Sequence, residues 1–318
     1  MALNNQLAAA EHVVSEFGAK STAADVAAGH DLSGKTVLIT GGYGGIGLET
    51  TRALADAGAR VIVAGRRKEA GQQALAAAEI ADSVSVVQLD LADLADVAAV
   101  VRSLEQVHLD YLITNAGVFL PSLRHTPAGW EEQFAVNHLG HFALVAGVYR
   151  NVRPGGRIVV VSSASHIASD IHWDDIDNRV RPFDPGVAYG QSKTANALHA
   201  VALDELAATT GVHAYAVHPG FVPGTDLTPP QHDTESQWAK SNPQGAATTV
   251  WAVTAPELQP YGGVYLKDCA VATVDHSTTA PETLADYQNA GVRPYALDVE
   301  SALRLRMLSA ERTGVDLP

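Results

Sequence analysis

The sequence holds a single cysteine, Cys269, which excludes an internal disulfide framework and any cysteine-rich zinc site. Nothing beside that thiol marks it as a nucleophile, and it is expected to be a buried core residue. Basic side chains are also scarce: 21 Lys and Arg face 35 Asp and Glu, a formal charge of −14. Such a balance argues against general affinity for nucleic acid or an anionic membrane, so small molecules are the expected partners. No stretch approaches the roughly 18 apolar residues of a membrane span. Residues 1–20 lack a basic start followed by an apolar run, and the expected location is the cytoplasm.

What is present is enough apolar material for a sizeable core, 47% of 318 residues. Residues 1–34 are Ala-rich and mixed in polarity, and 8–19 have the pattern of a short amphipathic helix outside the main domain. From Lys35 the pattern changes. Strand-like runs at 36–40, 61–64, 84–89, 111–114, 158–161 and 212–217 alternate with longer Ala/Leu-rich helical stretches. This alternation predicts βαβ units and a parallel sheet covered on both faces, with 263–266 as a seventh strand. Two stretches, 165–187 and 221–243, fit neither element and follow strand carboxyl ends, where doubly wound sheets bind ligands. The expected organisation is therefore an N-terminal extension (1–34), a single catalytic domain (35–270) with substrate loops at 165–187 and 221–243, and a C-terminal extension (271–318). The extension should end in a helix capped by Asp298 and packed on the domain.

Directly after the first strand comes TGGYGGIG, residues 40–47, and a helix follows at once. In that context Gly41 allows the tight turn, Gly45 lets the backbone approach a pyrophosphate, and Gly47 lets helix and strand pack closely. The plain alternative is a glycine-rich turn with no ligand. Where an NAD-preferring site usually carries an acid, at the end of the second strand, this chain has Gly65, Arg66 and Arg67. A carboxylate would repel a 2′-phosphate, whereas guanidinium groups bind it through charge-assisted hydrogen bonds, so the expected cofactor is NADP(H). Asp90, after the third strand, either accepts from the adenine amino group or caps the next helix.

After the fourth strand lies TNAG, in which Asn115 can hold the strand end and Gly117 leaves room for the cofactor. Further on, YGQSK puts Tyr189 and Lys193 four apart, on one face of a predicted helix. A phenol with an ordinary pKa of about 10 needs roughly 4 kcal/mol of differential stabilisation to titrate near neutrality, and neighbouring positive charge can supply it. Ser163, in IVVVSSASH, is the better placed of two strand-end hydroxyls to orient a substrate oxygen. Asn137 sits inside a predicted helix, where its low propensity suggests a purpose such as holding a relay water. His138 and His141 lack the further ligands of a metal site, and no metal is expected. Trp173, Phe183, Phe221 and Trp238 are candidates to line an apolar pocket, or are simply loop anchors.

These signatures, 40–47, 115–117, Asn137, Ser163, Tyr189, Lys193 and HPG at 218–220, stand in the order found in short-chain dehydrogenases/reductases, which the chain resembles over 32–269. NHLGHF, the long interval between Ser163 and Tyr189, and GGVYLKDC are most similar to the retinol-dehydrogenase and WW-domain-oxidoreductase-like branch. The resemblance implies a single doubly wound, Rossmann-type α/β domain and a division of labour among catalytic residues. Tyr189 would be the general acid/base, Lys193 the ribose ligand and pKa depressor, Ser163 the partner of the substrate oxygen, and Asn137 part of a proton relay. The candidate cofactor set is Gly41, Tyr43, Gly45, Ile46, Gly47, Arg66, Arg67, Asp90, Leu91, Asn115, Ala116, Gly117, Tyr189, Lys193, Pro219, Gly220 and Thr225. Thr225 departs from the pattern, because Pro223 and Gly224 push it later than the threonine that usually meets the nicotinamide amide.

The expected function is hydride transfer between NADP(H) and a fairly apolar ketone, aldehyde or secondary alcohol, with homo-oligomers possible. Two other readings stay open. A catalytically silent cofactor-binding regulatory protein would share the fold. A nucleotide-sugar epimerase or dehydratase would share the Tyr/Lys chemistry, but usually needs a larger C-terminal substrate domain than the residues after Cys269 provide.

Overall fold

The computed structural model describes residues 10, 12–225, 227 and 236–318. After a short helix α1 (Ala23–Ala27), strands and helices alternate as β1 (Thr36–Thr40), α2 (Gly45–Asp56), β2 (Arg60–Gly65), α3 (Lys68–Ala77), β3 (Val84–Gln88), α4 (Leu94–Ser103) and β4 (Leu109–Thr114). The chain continues through a wide helical turn (Ala135–Leu139) into α5 (Gly140–Val148), β5 (Val152–Val161), α6 (Pro185–Asp204), β6 (His213–His218) and α7 (Asn242–Thr254). It ends with β7 (Tyr265–Lys267), β8 (Ala270–Val271), α8 (Leu284–Asn289) and α9 (Val299–Thr313).

The strands form one sheet in the order β3-β2-β1-β4-β5-β6-β7-β8, parallel except for the last pair. All seven predicted strands are present, so the fold is the expected doubly wound α/β domain. The eighth strand was not foreseen. It follows a turn whose Asp268 and Cys269 have φ of +52° and +57°, a left-handed conformation that sequence reasoning expects of glycine.

Alternation along each strand sends neighbouring side chains to opposite faces. Leu38, Ile62, Leu112 and Ile158 pack with Val97, Phe142, Leu198 and Val201 in one core layer. Val37, Ile39, Val63, Ile113 and Val159 pack with Leu54, Val250 and Trp251 in the other. β1 lies between β2 and β4, so the chain's winding reverses there and a crevice opens at the carboxyl ends of β1 and β4.

The termini depart from expectation in one respect. Part of the helix predicted over 8–19 lies outside the described residues, and from His12 to Ala19 the chain is not helical. Val14 instead bridges Ala270 in antiparallel fashion, and the Ser15 hydroxyl donates to the Cys269 carbonyl at 2.8 Å. The partner edge, β8, was invisible in the sequence, and β-branched Val13 and Val14 suit an extended pairing. Nor does this segment lie outside the domain: Ala10, Ala23 and Val26 are buried in the second core layer. At the other end Asp298 caps α9 by accepting from Ser301 N at 2.8 Å, and the helix packs along α6.

Gly140, at the start of α5, sets the distance between that helix and the cofactor side of the sheet. A Cβ there would lie 2.1 Å from the Leu91 carbonyl oxygen. Gly140→Ala should therefore lose roughly 1–3 kcal/mol through overpacking, although helix propensity alone would gain about 1 kcal/mol. A lower urea midpoint at constant m-value is the expected result, and a raised midpoint would show that the backbone yields there.

Candidate active site

A cleft of about 740 Å³ runs along the carboxyl ends of β1, β2, β4, β5 and β6. Every candidate catalytic and cofactor-binding residue lines it except Asn137, which lies behind its wall. At one end is the glycine turn. Gly41 has φ +66°, and a Cβ on Gly47 would sit 2.3 Å from the Gly41 carbonyl oxygen, so this tight approach admits only glycine. Space of that kind beside a helix amino terminus, with unshielded amides, fits a dinucleotide pyrophosphate. The Tyr43 ring lies across β2, where a Cβ on Gly65 would come within 2.4 Å of it, and its hydroxyl accepts from Arg67 N at 3.3 Å. Arg66 and Arg67 are exposed along the cleft rim.

Of the two roles weighed for Asp90, the helix cap goes to Asp93, which accepts from Ala95 N at 2.9 Å. Asp90 instead accepts from Ala92 N at 2.9 Å, in a turn that keeps it and Leu91 on the cleft. Thr225 lies beside the glycine turn: its methyl would be 3.5 Å from a Cβ on Gly45. That position is at the phosphate end of the cleft.

The strand ends are tied by one hydroxyl. Thr40 Oγ1 accepts from Asn115 N at 2.9 Å and Ala116 N at 3.0 Å, which uses both of its lone pairs. Its own hydrogen must then go to His141 Nε2, 2.8 Å away, leaving the imidazole hydrogen on Nδ1 to donate to the Asn137 carbonyl at 3.0 Å. Burial lowers the His141 pKa to about 4, so this tautomer is neutral throughout the physiological range. His138 is engaged separately, with Ser309 at 2.8 Å, and among the described residues no group of three metal-ligating side chains exists.

Asn137 occupies the wide turn Ala135–Leu139, a local widening of the helix of the kind found at functional sites. Both of its side-chain hydrogens are committed: Nδ2 donates to Val118 O and Ser192 Oγ, each at 3.0 Å, while Oδ1 accepts from Val118 N at 2.8 Å. A relay water therefore has no amide hydrogen to accept here.

Ser163, Tyr189 and Lys193 converge. Ser162 donates to the Lys193 carbonyl at 2.7 Å and is buried, so the hydroxyl left facing the cleft is that of Ser163. Ser163 stands beside the Tyr189 hydroxyl in the cleft and acts to lower its pKa, against the larger effect of burial. Phe119 packs edge-on against the Tyr189 ring with centroids 5.5 Å apart. Lys193 Nζ is 5.5 Å from the Tyr189 ring centroid and donates to the Val161 carbonyl at 3.2 Å. Burial dominates both ionisations: it raises the Tyr189 pKa well above its usual value, and lowers that of Lys193 to about 8. In the protein alone the phenol is therefore held protonated. A Cβ on Gly117 would lie 3.3 Å from Asn137 Oδ1, a tight contact, and 3.5 Å from Nζ.

Of the aromatics named as pocket candidates, only Phe221 lines the cleft. Trp173 anchors its loop beneath Arg304 of α9, with 4.1 Å from guanidinium carbon to ring centroid. Neither Phe183 nor Trp238 reaches the cavity. Sequence reasoning missed Phe119, Ser165, Leu284, Tyr287 and Gln288, which do line it. Phe119 and Ser165 lie within two residues of motifs already recognised, a proximity that could have flagged them.

Comparison with known proteins agrees with this geometry. A short chain dehydrogenase family model matches residues 35–236. A probable oxidoreductase of Streptomyces lividans is 38% identical over 299 residues, covering 86% of this chain and 96% of that protein. Mouse retinol dehydrogenase 12 is 38% identical over 253 residues, covering 75% of this chain and 79% of that protein. A crystal structure of an uncharacterized Mycobacterium paratuberculosis protein superposes with a TM-score of 0.73 at 32% identity, covering 94% of this chain and 99% of that one. A Burkholderia cenocepacia short chain dehydrogenase, solved in complex with NADP, gives 0.61 at 26% identity over 75% of this chain and 98% of its own. With its sheet order, glycine turn and converged Ser163, Tyr189 and Lys193, the chain belongs to the short-chain dehydrogenase/reductase family, in its retinol-dehydrogenase-like branch.

Proposed function

We propose that the protein is an NADP(H)-dependent carbonyl reductase or alcohol dehydrogenase acting on a fairly apolar ketone, aldehyde or secondary alcohol. The observation that carries this reading is the convergence of Tyr189 and Ser163 beside a buried Lys193, in the same cleft as the glycine turn. Bound nicotinamide would exchange hydride with the substrate carbon. The chain's own residues handle the oxygen. Tyr189, protonated in its buried setting, can give its proton to an oxygen that gains charge, while Ser163 is preorganised to hydrogen-bond that oxygen. Lys193 has a different task. A buried ammonium with no carboxylate beside it among the described residues favours the phenolate that remains after proton transfer, and it can donate to ribose hydroxyls. The Asn137 carbonyl, fixed by His141, is the acceptor through which a water could return the proton.

Preference for NADP(H) rests on Arg66 and Arg67 at the end of β2, with no acid in the position that would repel a 2′-phosphate. The Burkholderia relative with NADP bound supports the same choice. Dependence on the cleft loops for substrate binding follows from their place at the carboxyl ends of β5 and β6. Residues 226 and 228–235 of the second loop lie outside the described part.

Two substitutions test the assignment. Tyr189→Phe should lower turnover of NADPH with a carbonyl substrate by about 10²–10⁴ while sparing NADPH binding, and unchanged turnover would reject Tyr189 as the acid. Arg66→Ala should weaken NADPH by roughly 1.5–3 kcal/mol and leave NADH nearly unaffected. Equal losses for both cofactors would exclude a 2′-phosphate role.

A further inference from the structure

The family match ends at residue 236, yet the chain returns to the cleft beyond it. Leu284, Tyr287 and Gln288 of α8 line the same cavity as Ser163 and Tyr189. Their place is at the substrate end. α8 hangs from β7 and packs on the turn Ala164–Ala168 after Ser163, far across the sheet order from β1 and β2 with their phosphate turn and arginines. The Tyr287 phenol feels the charge of Asp184, the residue capping the helix that carries Tyr189.

This wall is fastened to the catalytic serine. Lys267 Nζ donates to the Gln288 carbonyl and, at 3.0 Å, to the Ala290 carbonyl. Gly291 permits the next contact, since a Cβ there would lie 1.9 Å from the Thr273 carbonyl oxygen. Arg293 N then donates to His166 Nε2 at 3.1 Å, which leaves the imidazole hydrogen on Nδ1 to donate to the Ser163 carbonyl at 2.8 Å. One ring thus holds both the wall and Ser163.

The lining chemistry is of two kinds. Leu284 and the Tyr287 ring, with Phe119 and Phe221, offer apolar surface. His218 offers a hydrogen-bond donor: its Nδ1 accepts from Ala164 N at 3.1 Å and Gly220 N at 3.3 Å, so Nε2 carries the hydrogen. That Nε2 is buried with no hydrogen bond in geometric range among the described residues, and the side chain it faces is Gln288. An unsatisfied buried donor costs stability, and a ligand oxygen reaching it, or reaching the adjacent amide, removes that cost.

We propose that residues 284–288 are the substrate-selecting wall, and that they select a ring-bearing carbonyl compound with a second oxygen function. The ring packs on Leu284 and Tyr287, and the second oxygen is bound by Gln288 and His218. This rests on the oxidoreductase reading above and names its substrate class.

The test uses the full chain with NADPH and three probes: 2-butanone, 1-tetralone and 4-hydroxy-1-tetralone. kcat/KM should rise in that order. Leu284→Ala with Tyr287→Ala should cut the tetralone-to-butanone ratio about tenfold or more, and Gln288→Leu should cut the hydroxytetralone-to-tetralone ratio about tenfold. NADPH affinity should not change; no residue of α8 is buried, so the variants should fold as the parent does. Unchanged ratios would overturn the wall. Calorimetric titration of 4-hydroxy-1-tetralone separates the two claims. If no probe is turned over but binding weakens in the variants, the oxidoreductase reading falls and the wall stands. Binding unaffected by either change refutes the wall.

Discussion

An ammonium buried to 2% exposure, with no carboxylate partner among the described residues, is the constraint around which the site is organised. Removing such a charge from water is costly, and here the cost shows as a Lys193 pKa pulled down to about 8. The fold answers with one fixed acceptor, the Val161 carbonyl, and otherwise leaves Nζ facing the cleft. Ribose hydroxyls and an ionised phenol are the acceptors that would complete its shell. The same burial that strains the lysine keeps Tyr189 protonated, so acid and electrostatic partner are poised against each other. Neither can relax without a ligand.

Keeping that balance needs rigid surroundings, and two neutral imidazoles supply them. His141 joins the end of β1 to the Asn137 carbonyl, and His166 joins the Ser163 backbone to the C-terminal segment. Both are almost fully buried with pKa values near 4, so their tautomers are fixed by their partners and not by the pH of the medium. α9 adds a further brace. Ser309 meets His138 in the turn that bears Asn137, and Arg312 holds Asp177 through two bonds of 2.9 Å.

Much of this was legible in the sequence because local rules and fold agree. Strand alternation, Gly47 and the four-residue step from Tyr189 to Lys193 each encode a short-range geometry. What escaped was long-range. β8 was hidden by a turn through Asp268 and Cys269, where glycine would have announced it. Val13 and Val14 were taken into a helical pattern because their pairing edge is more than 250 positions away. Trp173 was a reasonable pocket candidate by type, yet Arg304, far along the chain, claims its ring face. Leu284, Tyr287 and Gln288 sit in a stretch with no motif, and only the folding of the C-terminal segment back over β7 brings them to Ser163.

The central claim is that positive charge at the site, not burial, decides the ionisation of Tyr189 once the cleft is filled. Ultraviolet difference titration of the phenol with and without NADP⁺, in the parent protein and in Lys193→Met, measures this directly. The account predicts that NADP⁺ moves the Tyr189 ionisation down toward neutral pH in the parent, and that the lysine variant loses most of that shift. A phenol that titrates at the same high pH in all four samples would contradict it.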